Sequence, residues 1–169
     1  MDQRQQHLRR GGDPADIAAL LLAQNGDLTP ADVKSMLGNN AERQVWADEI
    51  GGVLASVMER GGGRIDLERA SAATTTFDPM SLSFGVSKGN RPVNKTITVT
   101  VSNLTDEAKT LSLSGGDANI SFPETVNLPA SGTATFTVSL SVRGAATAEG
   151  DLVITDGDET FLVPFHYST

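Results

Sequence analysis

The 169-residue sequence predicts a mainly β fold, a sandwich of short strands standing behind a small helical segment. Three observations carry this. Capped stretches with helical apolar spacing occupy residues 13–75. From residue 76 the apolar residues recur at every second position, with Ser and Thr between them. Turn-forming residues punctuate that second stretch about every ten positions.

The helical elements come first. Asp13-Pro14 ahead of Ile17, Ala18, Leu20, Leu21 and Leu22 reads as a capped helix with Pro at its first position, and Gly26 reads as its left-handed stop. Because Ile17, Leu20, Leu21 and Leu22 surround much of this helix, it is expected to be buried on more than one side. Thr29-Pro30-Ala31-Asp32 repeats the start signal, and Val33, Met36 and Leu37 form one apolar face before Gly38-Asn39-Asn40. From Trp46 to Met58 the pattern is mixed, with Val53 to Val57 readable as extended. Arg60-Gly61-Gly62-Gly63-Arg64 interrupts the chain, and Ile65 to Ala73 reads as a short final helix.

The strands follow. Leu82/Phe84/Val86, Ile97/Val99/Val101, Leu111/Leu113, Phe136/Val138/Leu140/Val142 and Phe161/Val163/Phe165 alternate with polar neighbours. Leu152-Val153-Ile154 adds one strand and Phe122 to Leu128 a weaker one, while Asp156-Gly157 marks a hairpin between the last two. About seven strands in this arrangement read as an immunoglobulin- or fibronectin type III-like sandwich. The absence of cysteine removes an inter-sheet disulfide and favours the fibronectin-like variety.

Composition excludes several functions. Lys plus Arg number 13 against 21 for Asp plus Glu, a formal net charge of −8, so the electrostatic footprint of a nucleic-acid binder is missing. Without cysteine there are no thiolate zinc sites and no Cys nucleophile. The longest apolar run, Ile17 to Ala23, is too short to span a bilayer, so no membrane span is expected. The opening residues MDQRQQHLRR are polar and contain no signal peptide.

The helical half resembles the C-terminal end of the catalytic domain of subtilisin-like serine proteases (the peptidase S8, or subtilase, family). The matching stretches are Ala18–Asn25 (AALLLAQN), Leu28–Leu37 (LTPADVKSML), Asn39-Asn40-Ala41 and Gly61–Ala70 (GGGRIDLERA), in the family's order and spacing. Thr74 to Gly85, with Pro79-Met80-Ser81-Leu82-Ser83-Phe84, is similar to the start of the fibronectin-like domain that follows many such proteases. The resemblance covers residues 17 to 169. It implies residues 1–12 as an atypical, disordered tail, 13–75 as a helical remnant of the α/β catalytic domain, and 76–169 as a fibronectin type III-like sandwich. It also implies a bacterial, secreted parent protein, hence an extracellular location if this chain is part of a complete protease.

The departure from the family is as informative. Its nucleophile stands in a Gly-Thr-Ser-Met segment leading into the AALLLAQ helix, a position that falls near Leu8 here, where the chain reads Gln6-His7-Leu8-Arg9-Arg10. The family's Asp, His and oxyanion Asn belong further upstream. The resemblance therefore implies a protease end joined to unrelated leading sequence, with no catalytic, cofactor-binding or metal-binding residues and no cofactor. The expected partners are the missing catalytic domain or a second copy of the chain, and protein substrates within a complete protease. The alternative is an independent binding or adhesion module derived from a protease.

Other motifs have plainer readings. A Ser–His–Asp triad would need His7 or His166 as base, and both read as exposed terminal imidazoles. Asp156, Asp158 and Glu159, with Asp151 nearby, form an acidic turn. Calcium, which takes roughly six to eight oxygens, is the alternative to ordinary Asp-Gly turn chemistry. The Gly61–Gly63 run lacks the Lys-Ser or Lys-Thr of a P-loop and reads as a tight backbone passage. Asn94-Lys-Thr96, Asn103-Leu-Thr105 and Asn119-Ile-Ser121 fit the glycosylation pattern but suit ordinary strand composition. Arg4, Arg9 and Arg10 lack the interleaved aromatics of an anion-binding patch.

Overall fold

The structure, a computed structural model, describes residues 13–48, 51–88 and 91–169. The expected tail, residues 1–12, and His7 with it, lies outside the described residues.

Helix α1 spans Pro14–Gln24, and the Asp13 carboxylate caps it by accepting from the Ala15 amide at 2.9 Å. It ends on Asn25, which is extended and donates its N–H to Leu21 O at 3.0 Å, so Gly26 is not the left-handed stop the sequence suggested. Nor is α1 buried on more than one side. Ile17 and Leu21 are buried, whereas Leu20 and Leu22 stay 44% and 43% exposed. The reason is that the helix packs by one face, on α2 (Pro30–Asn39), with Leu21, Leu28, Val33 and Met36 closing a small apolar cluster. Thr29 and Asp32 form a reciprocal capping box at the start of α2.

Beyond α2, residues 45–47 and 53–55 make a small antiparallel pairing through Ala47 N–Val53 O and Ala55 N–Val45 O, both 2.8 Å, with Trp46 opposite Leu54. The expected extension of Val53–Val57 therefore holds as far as Ala55, and helix α3 (Val57–Arg60) begins directly after it. Helix α4 (Leu67–Ala72) is capped by Asp66.

Two sheets make up the rest. Strands β1 (Thr75–Asp78), β3 (Val93–Asn103), β7 (Thr133–Val142) and β5 (Ile120–Ser121) form one, in the order β1-β3-β7-β5. The other has the order β2-β9-β8-β4-β6, from β2 (Leu82–Val86), β9 (Glu159–Ser168), β8 (Ala148–Asp156), β4 (Lys109–Gly115) and β6 (Thr125–Leu128). The chain crosses between sheets after Asp78, so β1 runs antiparallel to β3 while β2 runs parallel to β9. Nine strands among the described residues replace the seven expected. Thr75–Asp78 and Ile120–Ser121 are the two additions, and the strand expected over Phe122–Leu128 begins only at Thr125, beyond Pro123, which lacks an N–H.

Alternation places the core as expected. On β7 the side chains of Phe136, Val138, Leu140 and Val142 face inward and are buried, and Phe136 stands opposite Val99 of β3. They meet Leu111, Leu152, Ile154, Phe161, Val163 and Phe165 from the second sheet, with the Phe77 and Phe161 rings 5.4 Å apart. Asp156-Gly157 does turn the β8–β9 hairpin, with Gly157 at φ +56°.

Candidate functional site

The chemistry-bearing residues of this chain gather where the helical segment meets the sandwich. Two residues of α2, Ser35 and Asn39, lie one turn apart, share a helix face and are buried. Ser35 Oγ accepts the Phe77 amide at 2.8 Å and donates to Asn39 Oδ1 at 2.7 Å. The Asn39 amide nitrogen then donates to two carbonyls of the sandwich half, Met80 O and Leu162 O, both at 2.8 Å. At the other end of α2, Thr76 Oγ1 donates to Asp32 Oδ1 at 2.6 Å. Burial pushes the Asp32 carboxyl up, but hydrogen bonds from the Thr29 hydroxyl, the Thr76 hydroxyl and the Thr29 amide outweigh it and hold the group below its ordinary value.

Arginines complete the junction. Arg43 Nη1 donates to Gly38 O at 3.0 Å and Nη2 to Leu162 O at 2.6 Å, and its Nε lies 3.2 Å from Asp151 Oδ1. Arg60 Nη2 donates to Asp151 Oδ2 at 2.6 Å. These side chains are only 9–18% exposed, so two guanidiniums share one carboxylate in a mostly dry setting. Burial lowers the Arg43 pKa from its ordinary value; Asp151 opposes that and Arg60 adds to it. Arg60 Nη1 is buried without a hydrogen-bond partner, a desolvation cost that offsets part of the attraction within the cluster. Arg69 Nη2 adds a bond to Thr160 O at 3.2 Å.

The glycine run serves this junction as a backbone passage. Gly63 has φ +100°, and a Cβ there would stand 2.3 Å from Glu42 O, because Glu42 and Arg64 exchange backbone hydrogen bonds of 2.8 and 2.9 Å. Gly38 leaves room for the Met80 side chain. Beside the passage an open cavity of about 340 Å³ is lined by Val57, Met58, Met80, Leu82, Phe165 and His166. Met58 on its rim is 69% exposed, and Val53, Leu54 and Trp46 of the small pairing are exposed apolar side chains as well.

The remaining sequence candidates do not assemble. His166 is half-buried on β9 against the expectation of an exposed imidazole, because β9 is flanked by both β2 and β8. Among the described residues no carboxylate hydrogen-bonds its ring. The acidic group around the last hairpin is divided. Asp151 faces the arginines, while Asp156 lies 2.8 Å from Lys109 Nζ and Glu159 accepts from Thr74. No group of three potential metal ligands occurs among the described residues. Asn103 is buried, its amide nitrogen donating to Glu107 O at 2.7 Å and Pro129 O at 2.9 Å, so it braces a turn. Among the described residues no helix is long and apolar enough to cross a membrane.

Sequence reasoning missed Arg43 altogether and placed Asp151 with the acidic turn and Arg60 with the glycine run, since each acts through backbone carbonyls or a partner about a hundred residues away. The Asn39-Asn40-Ala41 and Gly61–Ala70 stretches were the available pointers.

No family model matches the chain, and no curated protein matches it. Among solved structures, tripeptidyl peptidase 2 is similar at 12% identity and a TM-score of 0.51, over 92% of this chain and 15% of that one. The VesB protease of Vibrio cholerae matches at 13% identity and a TM-score of 0.39, over 74% and 40% of the two chains. A FixG-related protein from Vibrio parahaemolyticus matches at 16% identity and a TM-score of 0.42, over 58% of this chain and 98% of its own. At these identities the likeness is one of fold. The class is a mainly β, immunoglobulin-like sandwich carrying a helical segment.

Proposed function

We propose that this chain is the non-catalytic C-terminal part of a subtilisin-like serine protease. Residues 13–75 are the last helices of its catalytic domain and 76–169 a fibronectin type III-like sandwich that supports that domain or positions protein substrates. The observation that carries the reading is the ordered run of family motifs from Ala18 to Ala70. Those motifs coincide with working parts of the junction: LTPADVKSML forms most of α2, Asn39 grips two carbonyls, and GGGR forms the close passage at Gly63. The fold match to a peptidase, extending over both halves of the chain, is consistent with it. Exposed Leu20, Leu22, Trp46, Val53 and Leu54 are then the surface that the rest of the catalytic domain covers. The parent protein is a secreted bacterial enzyme.

Two measurements test this. The chain alone should neither hydrolyse casein nor react with a fluorophosphonate probe, and stoichiometric labelling of one serine would overturn the non-catalytic reading. Supplied to a subtilisin-like catalytic body truncated ahead of the helix equivalent to Ile17–Asn25, it should raise that body's activity. If the two co-purify without any gain, the supporting role is wrong. An independent binding module is the second reading, favoured by the burial of Ile17 and Leu21 without help from any further chain.

A further inference from the structure

A sheet edge presents N–H and C=O groups that pair with any strand offered, and natural sheets guard such edges. Three edges of this sandwich are guarded. The outer edge of β1 lies under α2, with the Phe77 N–H bonded to Ser35 Oγ. Strand β2 is interrupted between Ser83 and Gly85, and Phe84 O accepts from Lys95 Nζ at 2.5 Å. Strand β6 is four residues long and stands between Pro123 and Pro129.

The fourth edge differs. Strand β5 covers β7 only at Ser139 and Leu140, so from Thr133 to Val138 β7 has β3 on one side and no hydrogen-bonded strand on the other among the described residues, with β6 of the second sheet packed nearby. Ser141 donates its N–H to Asn119 O on the β5 side at 2.8 Å. By the alternation of antiparallel ladders, Thr133, Thr135 and Thr137 turn their N–H and C=O groups to that same open side. Beside them runs a groove of about 510 Å³ bordered by Thr125, Val126, Ala134 and Phe136.

We propose that this edge is a self-association surface: β7 pairs antiparallel with β7 of a second copy about a two-fold axis at Thr135. The register sets Thr133 opposite Thr137 and Thr135 opposite itself, forming about six backbone hydrogen bonds and ending before β5 begins. Side chains of these threonines stand exposed on the same sheet face, so the pairing also aligns Thr with Thr across the strands, a favourable cross-strand combination. A second copy is the occupant because the stretch is neutral. No charged residue occurs from Thr133 to Val142, so in a chain of formal net charge −8 pairing along this stretch sets no like charges of the strand face to face. An isologous contact places each residue near its equivalent, so a neutral edge is what self-pairing requires.

The test is sedimentation of the full chain from micromolar to several hundred micromolar, with hydrogen exchange at both extremes. The wild-type mass should rise toward twice that of the monomer, with the Thr135 and Thr137 amides gaining protection as it does. Thr135→Pro removes only an outward N–H, and Thr135→Lys sets two like charges face to face at the axis. Both variants should remain monomeric with unchanged circular dichroism, and where the proline variant fails to fold the lysine variant decides. Leu20→Gln with Leu22→Gln should leave the association intact. A wild-type monomer throughout, or association surviving in a folded Thr135→Lys variant, would overturn the proposal.

Discussion

Removing Asn39 isolates the energetics of the junction. Its amide nitrogen serves Met80 O and Leu162 O, and its oxygen accepts from Ser35. Leu162 O also accepts from Arg43 Nη2, so in Asn39→Ala it keeps one donor whereas Met80 O keeps none from this side chain. One carbonyl deprived of its donor costs about 1–3 kcal/mol, and each of the two further lost hydrogen bonds about 1 kcal/mol, for an expected loss of about 3–5 kcal/mol. That is a large part of a typical domain's stability of about 5–15 kcal/mol without exceeding it. Arg43→Met alone also leaves Leu162 O with one donor. Only the double variant strips it, so the double loss should exceed the sum of the singles by about 1 kcal/mol or more. Urea unfolding of the four proteins gives the cycle, read from midpoints at constant slope. Additive single losses would refute the shared-acceptor reasoning, and a loss below about 0.5 kcal/mol for Asn39→Ala would refute the junction as drawn.

Phe136→Ala should destabilise by about 3–5 kcal/mol, measured by denaturant midpoint, because the ring is buried opposite Val99; a change below about 1 kcal/mol would mean the register is misread. Gly63→Ala places a Cβ against Glu42 O and forces a left-handed alanine, so melting should show a loss of more than about 2 kcal/mol. Asp32 has a folded pKa below its ordinary 3.8, so its contribution is present above that value and is lost as pH falls through the lower folded value. Asp32→Asn should accordingly flatten the acid limb of the stability–pH curve, and an unaltered limb would count against the Thr29 and Thr76 bonds. Expressed alone, residues 76–169 should fold, since one apolar cluster lines both sheets, whereas residues 13–73 alone should show little amide protection.

How far the sequence revealed this arrangement follows from what each element answers to. Strands β3, β4, β7, β8 and β9 bury one face against the opposite sheet, so their alternation is written in side-chain types and Phe136 could be placed from it. Strand β1 could not, because Thr75 and Thr76 are buried as polar residues beside α2, with the Thr76 hydroxyl on Asp32, and polar residues give no apolar period. The capping signals at Asp13 and Thr29 are local and survived intact. The face of α1 is not local: which of its leucines is covered depends on what packs there, and α2 covers only the Ile17–Leu21 side. The junction was hidden for the same reason. Asn39, Arg43 and Arg60 are ordinary polar residues until the chain brings β8 and β9 beside them.

The polarity of that junction has a structural consequence. The helical segment's own apolar cluster is small, and apolar contact is non-directional, so by itself it permits several seatings on the sandwich. The polar contacts permit one. Ser35, Asn39, Arg43 and Arg69 each end on a backbone group, at Phe77 N, Met80 O, Leu162 O and Thr160 O, whose positions are set by sheet register. A slip of one residue in β1 or β9 would turn those groups away and orphan several buried donors at once. The Arg43–Asp151–Arg60 cluster adds little net stability after desolvation, yet strongly penalises any seating that separates its charges. The buried polar groups thus set a single orientation of the helical segment on the sandwich, which the apolar cluster by itself does not.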